Sequence, residues 1–184
     1  MTDLIRFATP ADAERIASIY RPFVHGSAVS FESEPPSDDE MVSRIAHIAE
    51  LQLPWLVMTR NGNLVGYAYA SRHRDRTGYQ WSVETSVYAD SAAIGTGVGR
   101  KLYSTLFAIL KDQGYQNVYA GTTLPNDSSI GLHRALGFRE VAVYEKVGYK
   151  FSKWHDVAWW ELSIGSHPTD LEPPGKLPAV VPTV

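Results

Sequence analysis

The sequence contains no cysteine, so disulfides, a thiolate nucleophile and Cys-ligated zinc are all excluded from its chemistry. It also lacks a dominant charge: 17 Lys and Arg against 20 Asp and Glu leave a net charge of -3. The broad positive field of a nucleic-acid binder is therefore missing, and bulk charge points to a small-molecule partner. No apolar run approaches the ~18 residues of a membrane span. The opening Met1-Thr2-Asp3-Leu4-Ile5-Arg6 has no basic segment followed by an apolar stretch, so neither a secretion signal nor a membrane anchor is expected. The six histidines form no His-x-x-x-His pair, so no metal is expected. A serine-hydrolase elbow, Gly-x-Ser-x-Gly, is absent too. What remains is a chain of 184 residues, 44% hydrophobic and 11% aromatic, long enough to bury one core without crosslinks.

Periodicity and punctuation give an element order. Leu4 to Ala8 reads as a strand, after which Thr9 can cap a helix with Pro10 in its first turn and Ile16, Ile19, Tyr20 and Phe23 on one face. Ser37 and Glu40 form a capping-box signal for a second helix carrying Met41, Ile45 and Ile48. Trp55 to Thr59 and Leu64 to Ala70 are strands joined by Asn61-Gly62, a tight-turn pair. A polar loop from Ser71 to Gly78 carries Arg72, Arg74 and Arg76, and a strand from Tyr79 to about Ala89 follows. A glycine-rich loop then opens a helix from Gly97 to Gln113, with Gly114 as its C-cap. A strand from Asn117 to Thr122, a helix from Ser128 to Leu136, and strands Arg139 to Tyr149 and Val157 to Ser163 complete an α/β (α+β) chain. We take residues 1–164 as one domain and the proline-rich residues 165–184 as an extended or disordered tail.

Gly95-Thr96-Gly97-Val98-Gly99 lies between a strand and a helix, where backbone N–H groups can converge on an anion. It continues Arg100-Lys101-Leu102 and so matches neither the Walker loop nor the dinucleotide fingerprint, which disfavours ATP and NAD. The other two early helices open with acidic residues, whereas this one opens with two basic ones, against the helix dipole. A bound anion would explain that choice. A plain tight connection with two solvated cations would also do so.

Together with Asn126-x-x-Ser129-x-x-x-His133-x-x-x-Gly137-Phe138, this strand, loop and helix resemble the GNAT acyl-CoA N-acyltransferases. Val83 to Tyr88, Leu124 to Asp127, Leu132-His133, Ala135 to Phe138, Gly148 to Lys150 and Trp154 to Asp156 are similar to the phosphinothricin and methionine sulfone/sulfoximine acetyltransferase branch. The resemblance implies a central mixed, mostly antiparallel sheet flanked by helices. It implies acetyl transfer from acetyl-CoA to the α-amine of a small amino acid by direct attack, in a cytoplasmic homodimer. Alternatives are another small amine, a peptide N-terminus, or an acyl-CoA sensor without turnover. One departure is Ile94, where the family pattern carries Arg or Gln. The loss weakens the pyrophosphate site, and Arg100 or Lys101 would supply part of the missing charge.

An acceptor ammonium must lose a proton before it attacks a thioester, and the departing thiolate benefits from an acid. The resemblance places Glu84 at the catalytic glutamate, in a strand where a partly desolvated carboxylate suits proton abstraction directly or through water. Alternation also permits a Glu84 that only faces solvent. His133 is the second catalytic candidate, as acid or relay, against a packed histidine as the alternative. Acetyl-CoA is expected on the strand edge Val87-Tyr88-Ala89, on Gly95, Thr96, Gly97, Val98, Gly99 and Arg100, and on the side-chain amide of Asn126. For the acceptor the resemblance implies Phe31, Arg74, Asp75, Arg76, Glu84, Thr85 and Ser86, with a guanidinium reading its carboxylate, against a solvated arginine loop, a clamp on the adenosine 3′-phosphate or a dimer contact as alternatives; Tyr149 and Trp154 close the pocket or serve as core aromatics.

Overall fold

Apolar alternation and a glycine-rich turn set the first half of the sheet. Strands β1 (Asp3–Phe7), β2 (Trp55–Arg60), β3 (Asn63–Arg72) and β4 (Ser82–Ala89) pair antiparallel in that order. The β2–β3 turn holds Asn61 and Gly62 at φ of 52° and 83°, the left-handed pair that a tight hairpin needs. Then β5 (Asn117–Thr123) joins β4 in parallel, and the hairpin of β6 (Arg139–Lys150) and β7 (Lys153–Ser163) adds on through β7. The seven strands lie in the order β1-β2-β3-β4-β5-β7-β6. This computed structural model describes residues 2–181.

Four helices cover the sheet: α1 (Ala13–Gly26), α2 (Asp38–Glu50), α3 (Val98–Asp112) and α4 (Asp127–Ala135). Along β3 the small residues Gly66, Ala68 and Ala70 point one way and Tyr67 and Tyr69 the other. A methyl added at Gly66 would stand 2.7 Å from Val98, so the small row is what lets α3 lie close. Leu102, Leu106, Ile109 and Leu110 of α3 are fully buried there. Burial of each such side chain stabilises the fold by roughly 1.5–3 kcal/mol. On the opposite face Tyr67 packs on Tyr88 and Trp55, and Tyr88 meets Tyr20 and Phe23 of α1 edge-on. Among the described residues, no helix is long and apolar enough to cross a membrane.

Several boundaries differ from those expected. The chain from Thr77 to Tyr79 makes a short 3-10 turn, so β4 starts at Ser82 rather than Tyr79. Another 3-10 turn, Pro10–Asp12, precedes α1, and Asp12 accepts hydrogen bonds from Thr9 N and from both terminal nitrogens of Arg6. Ser37 caps α2 through Glu40 N, but the Glu40 carboxylate turns to Arg44 instead of closing a capping box. Strand β7 starts at Lys153, four residues early, because the hairpin turns at Phe151 and Ser152 with φ of 53° and 57° and no glycine marks it. Residues 165–181 form neither helix nor strand, and they are tied down: Trp81 Nε1 donates to Glu172 O at 2.9 Å, Gln113 Nε2 to Gly175 O at 3.0 Å, and Leu177 packs on the core. The final residues of the expected tail, 182–184, lie outside the described residues.

Candidate active site

The parallel pairing of β4 and β5 lasts only three registers, from Ser82↔Asn117 to Glu84↔Tyr119. Beyond Glu84 the strands part, leaving a wedge walled by Thr85–Tyr88 on one side and Ala120–Thr123 on the other. Tyr103 of α3 reaches into its base, where its hydroxyl donates to Thr85 O at 3.3 Å. Asn126, Ser129 and His133 of the α4 region line the wedge from the side. It opens into a cavity of about 380 Å³ bounded by Val87–Ala89, the glycine loop, Asn126 and Leu132. A wider cavity, about 620 Å³, shares Val29, Gly121 and Thr123 with the wedge and extends over the open face of β5, β7 and β6. The three spaces border one another, with the parted strands between them.

Gly95 and Gly97 adopt φ of 76° and 86°, conformations that side-chain-bearing residues rarely take. Helices α2 and α4 are capped by the side chains of Ser37 and Asn126, whereas α3 starts on Gly97 with no side-chain cap. Its first N–H groups are thus open to an anionic ligand. Of the basic residues behind it, Arg100 lines the 380 Å³ cavity beside the loop while its Nη2 donates to Ala135 O at 3.0 Å, at the C-terminal end of α4, and Lys101 Nζ pairs with Asp3 at 2.8 Å. Ile94 itself is 52% exposed. A further cation at the loop is Arg60, whose Nη1 donates to Thr96 Oγ1 at 3.0 Å. Sequence reasoning missed it, since only the β1–β2–β3 pairing carries Arg60 to the glycine loop.

At the mouth of the wedge, Glu84 Oε1 accepts from His73 Nδ1 at 3.0 Å and from Arg74 Nη1 at 3.1 Å. The Glu84 side chain keeps 29% of its surface exposed. His73 stacks on Tyr119, with ring centroids 4.5 Å apart, so the pair is braced from the neighbouring strand. Glu84 is therefore fixed by two nitrogen donors and does not merely face solvent, the alternative that strand alternation left open. His73 went unnoticed in the sequence because its link to Glu84 depends on the antiparallel register Ser71↔Glu84.

A family model described as the acetyltransferase (GNAT) domain matches residues 5–159. The chain belongs to the GNAT acetyltransferases. It is 38% identical over 168 residues to a phosphinothricin N-acetyltransferase of Alcaligenes faecalis, covering 91% of this chain and 85% of that protein. It is 35% identical to an L-methionine sulfoximine/L-methionine sulfone acetyltransferase of Salmonella typhimurium, covering 89% of this chain and 95% of that protein. A crystal structure of a GNAT phosphinothricin acetyltransferase from Sinorhizobium meliloti in complex with acetyl-CoA superposes with a TM-score of 0.87 at 36% identity, covering 94% of each chain. The protein is thus an acetyl-CoA-dependent N-acetyltransferase with the mixed, mostly antiparallel GNAT sheet.

In GNAT terms the chain fits acetyl-CoA: a glycine loop at an uncapped helix end, a β4 edge that β5 has abandoned, and Asn126 between them. The Asn126 side chain is partly spent, since its Oδ1 accepts from Ser129 N at 3.1 Å, which leaves its amide donors. Among the described residues no group of three or more His, Asp or Glu side chains is placed to hold a metal ion.

The other expected residues divide. Thr85 faces the wedge, and Ser86, on the Glu84 face, lies within hydrogen-bonding reach of the Tyr69 hydroxyl. Arg74 reaches Glu84, and together with the exposed Asp75 and Arg76 it also lines a 270 Å³ cavity beside Val83, Pro173 and Pro174. Phe31 is 40% exposed and lies against Gly148, where an added Cβ would stand 2.1 Å from its ring. Tyr149 and Trp154 stay mostly exposed, packing on each other at 5.1 Å.

His133 is 2% exposed. Its Nδ1 donates to Ser129 O at 2.7 Å, its ring lies parallel to Trp160, and Phe138 meets it edge-on. With the proton on Nδ1, Nε2 carries only a lone pair, and it is buried without a partner. Burial pushes its pKa below the ordinary value, so it stays neutral at pH 7. Its one N–H is committed to a carbonyl, while the ring borders the wedge beside Asn126 and Ser129.

Proposed function

We propose that this enzyme moves acetyl from acetyl-CoA to the α-amine of a small amino acid or analogue of the phosphinothricin, methionine sulfoximine or methionine sulfone type. The observation that carries the reading is Glu84, held by His73 and Arg74 where β4 and β5 part. The relatives' names support the acceptor class. In this reading the N–H groups of Gly95 to Arg100 hold the pyrophosphate, the edge Val87-Tyr88-Ala89 pairs with the pantetheine amides, and a backbone N–H there polarises the thioester carbonyl. The acceptor arrives from the opposite face. Glu84 takes a proton from its ammonium, directly or through one water, and the freed amine attacks the carbonyl carbon. The attached nitrogen gives its second proton to solvent, and collapse of the tetrahedral species breaks the C–S bond and expels the CoA thiolate, which takes up a proton from solvent in turn. Arg74 binds the acceptor carboxylate with the guanidinium edge not engaged by Glu84. His133 is a positioning residue that fixes the α4 turn bearing Asn126 and Ser129.

The enzyme works in this reading as a cytoplasmic homodimer and protects its host from phosphinothricin-like compounds. Support for the dimer comes from the β6–β7 hairpin, which presents Val143, Val147, Tyr149, Phe151 and Trp154 to solvent. Thiol release from acetyl-CoA, measured with phosphinothricin, methionine sulfoximine, methionine sulfone, polyamines and a peptide, tests the acceptor. Turnover of an amino-acid analogue that disappears in Glu84→Ala is the expected result. Turnover of polyamine or peptide alone would overturn it.

A further inference from the structure

The glycine loop is soft by composition. Between Gly95 and Gly99 only Thr96 and Val98 carry side chains, Gly95 and Gly97 sit in the left-handed region, and no side chain caps α3. Glycine loses more backbone freedom on ordering than any other residue, so such a loop receives an anion well only when something outside it holds its shape. Ile94, at the loop's entry, is exposed and apolar and supplies no such hold.

The hold comes from the far edge of the sheet. Asp3 of β1 and Arg60 of β2 face each other in the antiparallel register, and Arg60 donates to the Asp3 carboxylate through Nε at 2.8 Å and Nη2 at 3.2 Å. Its third nitrogen, Nη1, reaches Thr96 Oγ1 at 3.0 Å, and the Thr96 hydroxyl donates in turn to Ala93 O at 2.7 Å. Lys101 Nζ, from the start of α3, lands on the same carboxylate at 2.8 Å. One carboxylate therefore grips the chain on both sides of Gly97. The hydrogen bonds from Arg60 and Lys101 hold the Asp3 carboxyl well below the usual carboxylate range, so it stays ionised at neutral pH. Neither Arg60 nor Lys101 lines the 380 Å³ cavity on the other side of the loop.

We propose that Asp3 and Arg60 are positioning residues for acetyl-CoA: with Lys101 they form a latch that holds the glycine loop, from behind, in the shape that receives the pyrophosphate. This rests on the reading of that loop as the pyrophosphate site. The latch touches no ligand and acts by lowering the entropy lost when the loop's N–H groups are ordered around one. Its effect differs in sign from that of charge alone. Removing the Asp3 carboxylate leaves two cations unopposed beside the loop, which by their field would draw a polyanion more strongly, whereas an opened latch weakens its binding.

The test compares acetyl-CoA with S-acetylpantetheine, the same thioester without pyrophosphate or nucleotide, as acetyl donors for the full chain and for Asp3→Asn, Arg60→Met and Arg60→Lys. The parent is expected to favour acetyl-CoA in kcat/KM by ~10²-fold or more. Asp3→Asn and Arg60→Met are each expected to raise acetyl-CoA KM by ~10-fold, with acceptor KM and the S-acetylpantetheine rate within ~2-fold of the parent. Arg60→Lys keeps the charge but cannot reach Asp3 and Thr96 at once, and is expected to behave as Arg60→Met does. A lower acetyl-CoA KM in Asp3→Asn, or full recovery in Arg60→Lys, would reveal a charge effect and overturn the latch. An equal fall with both donors would mark a general loss of structure and overturn it as well. Equal use of the two donors by the parent would overturn the pyrophosphate reading, and the latch with it.

Discussion

Glu84 and His133 stand on opposite sides of the parted strands, and the contrast between them shows what the wedge demands of a proton carrier. Glu84 is half-open to the acceptor face and fixed by side chains from the β3–β4 loop, Arg74 and His73. His133 is packed between Trp160 and Phe138, with one nitrogen tied to a carbonyl and the other shut in. Both residues carry the right chemistry as letters in a sequence, and in the proposed reading access and hydrogen-bond commitment, more than residue type, divide the catalytic from the positioning role.

Substitutions can break or sharpen that contrast. The largest effect is expected from Glu84→Gln, which keeps shape and removes basicity: kcat/KM should fall by ~10²–10⁴ with acetyl-CoA affinity unchanged by calorimetry. Next is Gly97→Val, which forces a β-branched residue into the left-handed region at the uncapped start of α3. Chemical denaturation should show a loss of ~1–2 kcal/mol, with weaker acetyl-CoA binding beside it. For His133 the readout is stability against pH. Its folded pKa lies below the ordinary 6.5 because of burial. As pH falls below the unfolded value, the unfolded chain takes up a proton that the folded chain refuses. Stability is then lost at up to ~1.4 kcal/mol per pH unit until the folded value is reached. His133→Phe should remove that component and leave turnover within ~10-fold of the parent, since the residue acts through its neighbours. Smallest is Asn126→Ala, which deletes the α4 cap at Ser129 N and should cost ~1 kcal/mol by denaturation.

The element order was legible because its punctuation is local: Asn61-Gly62, Gly97, Gly114 and Gly137 all take the positive φ that their places require, and Ser37 caps α2 as its spacing predicts. The β6–β7 turn was not, because Phe151 and Ser152 adopt positive φ without glycine, held there by long strands on either side. Among the candidate site residues, the glycine loop was legible as geometry because its motif sits within one loop. Others were hidden where two distant segments meet. His73 and Glu84 are joined by register, and Arg60 and Thr96 by the sheet's edge. The partners of Arg100 and Lys101, Ala135 O and Asp3, were hidden for the same reason, since they too lie far away in sequence.

The assignment of the proton to Glu84 is tested most directly by single-turnover acetylation of methionine sulfone, with Glu84→Gln and His133→Phe measured side by side at saturating acetyl-CoA. The account predicts a rate collapse of ~10² or more in the glutamate variant and a change within ~10-fold in the histidine variant. The reverse pattern, with His133→Phe inactive and Glu84→Gln near the parent rate, would contradict it.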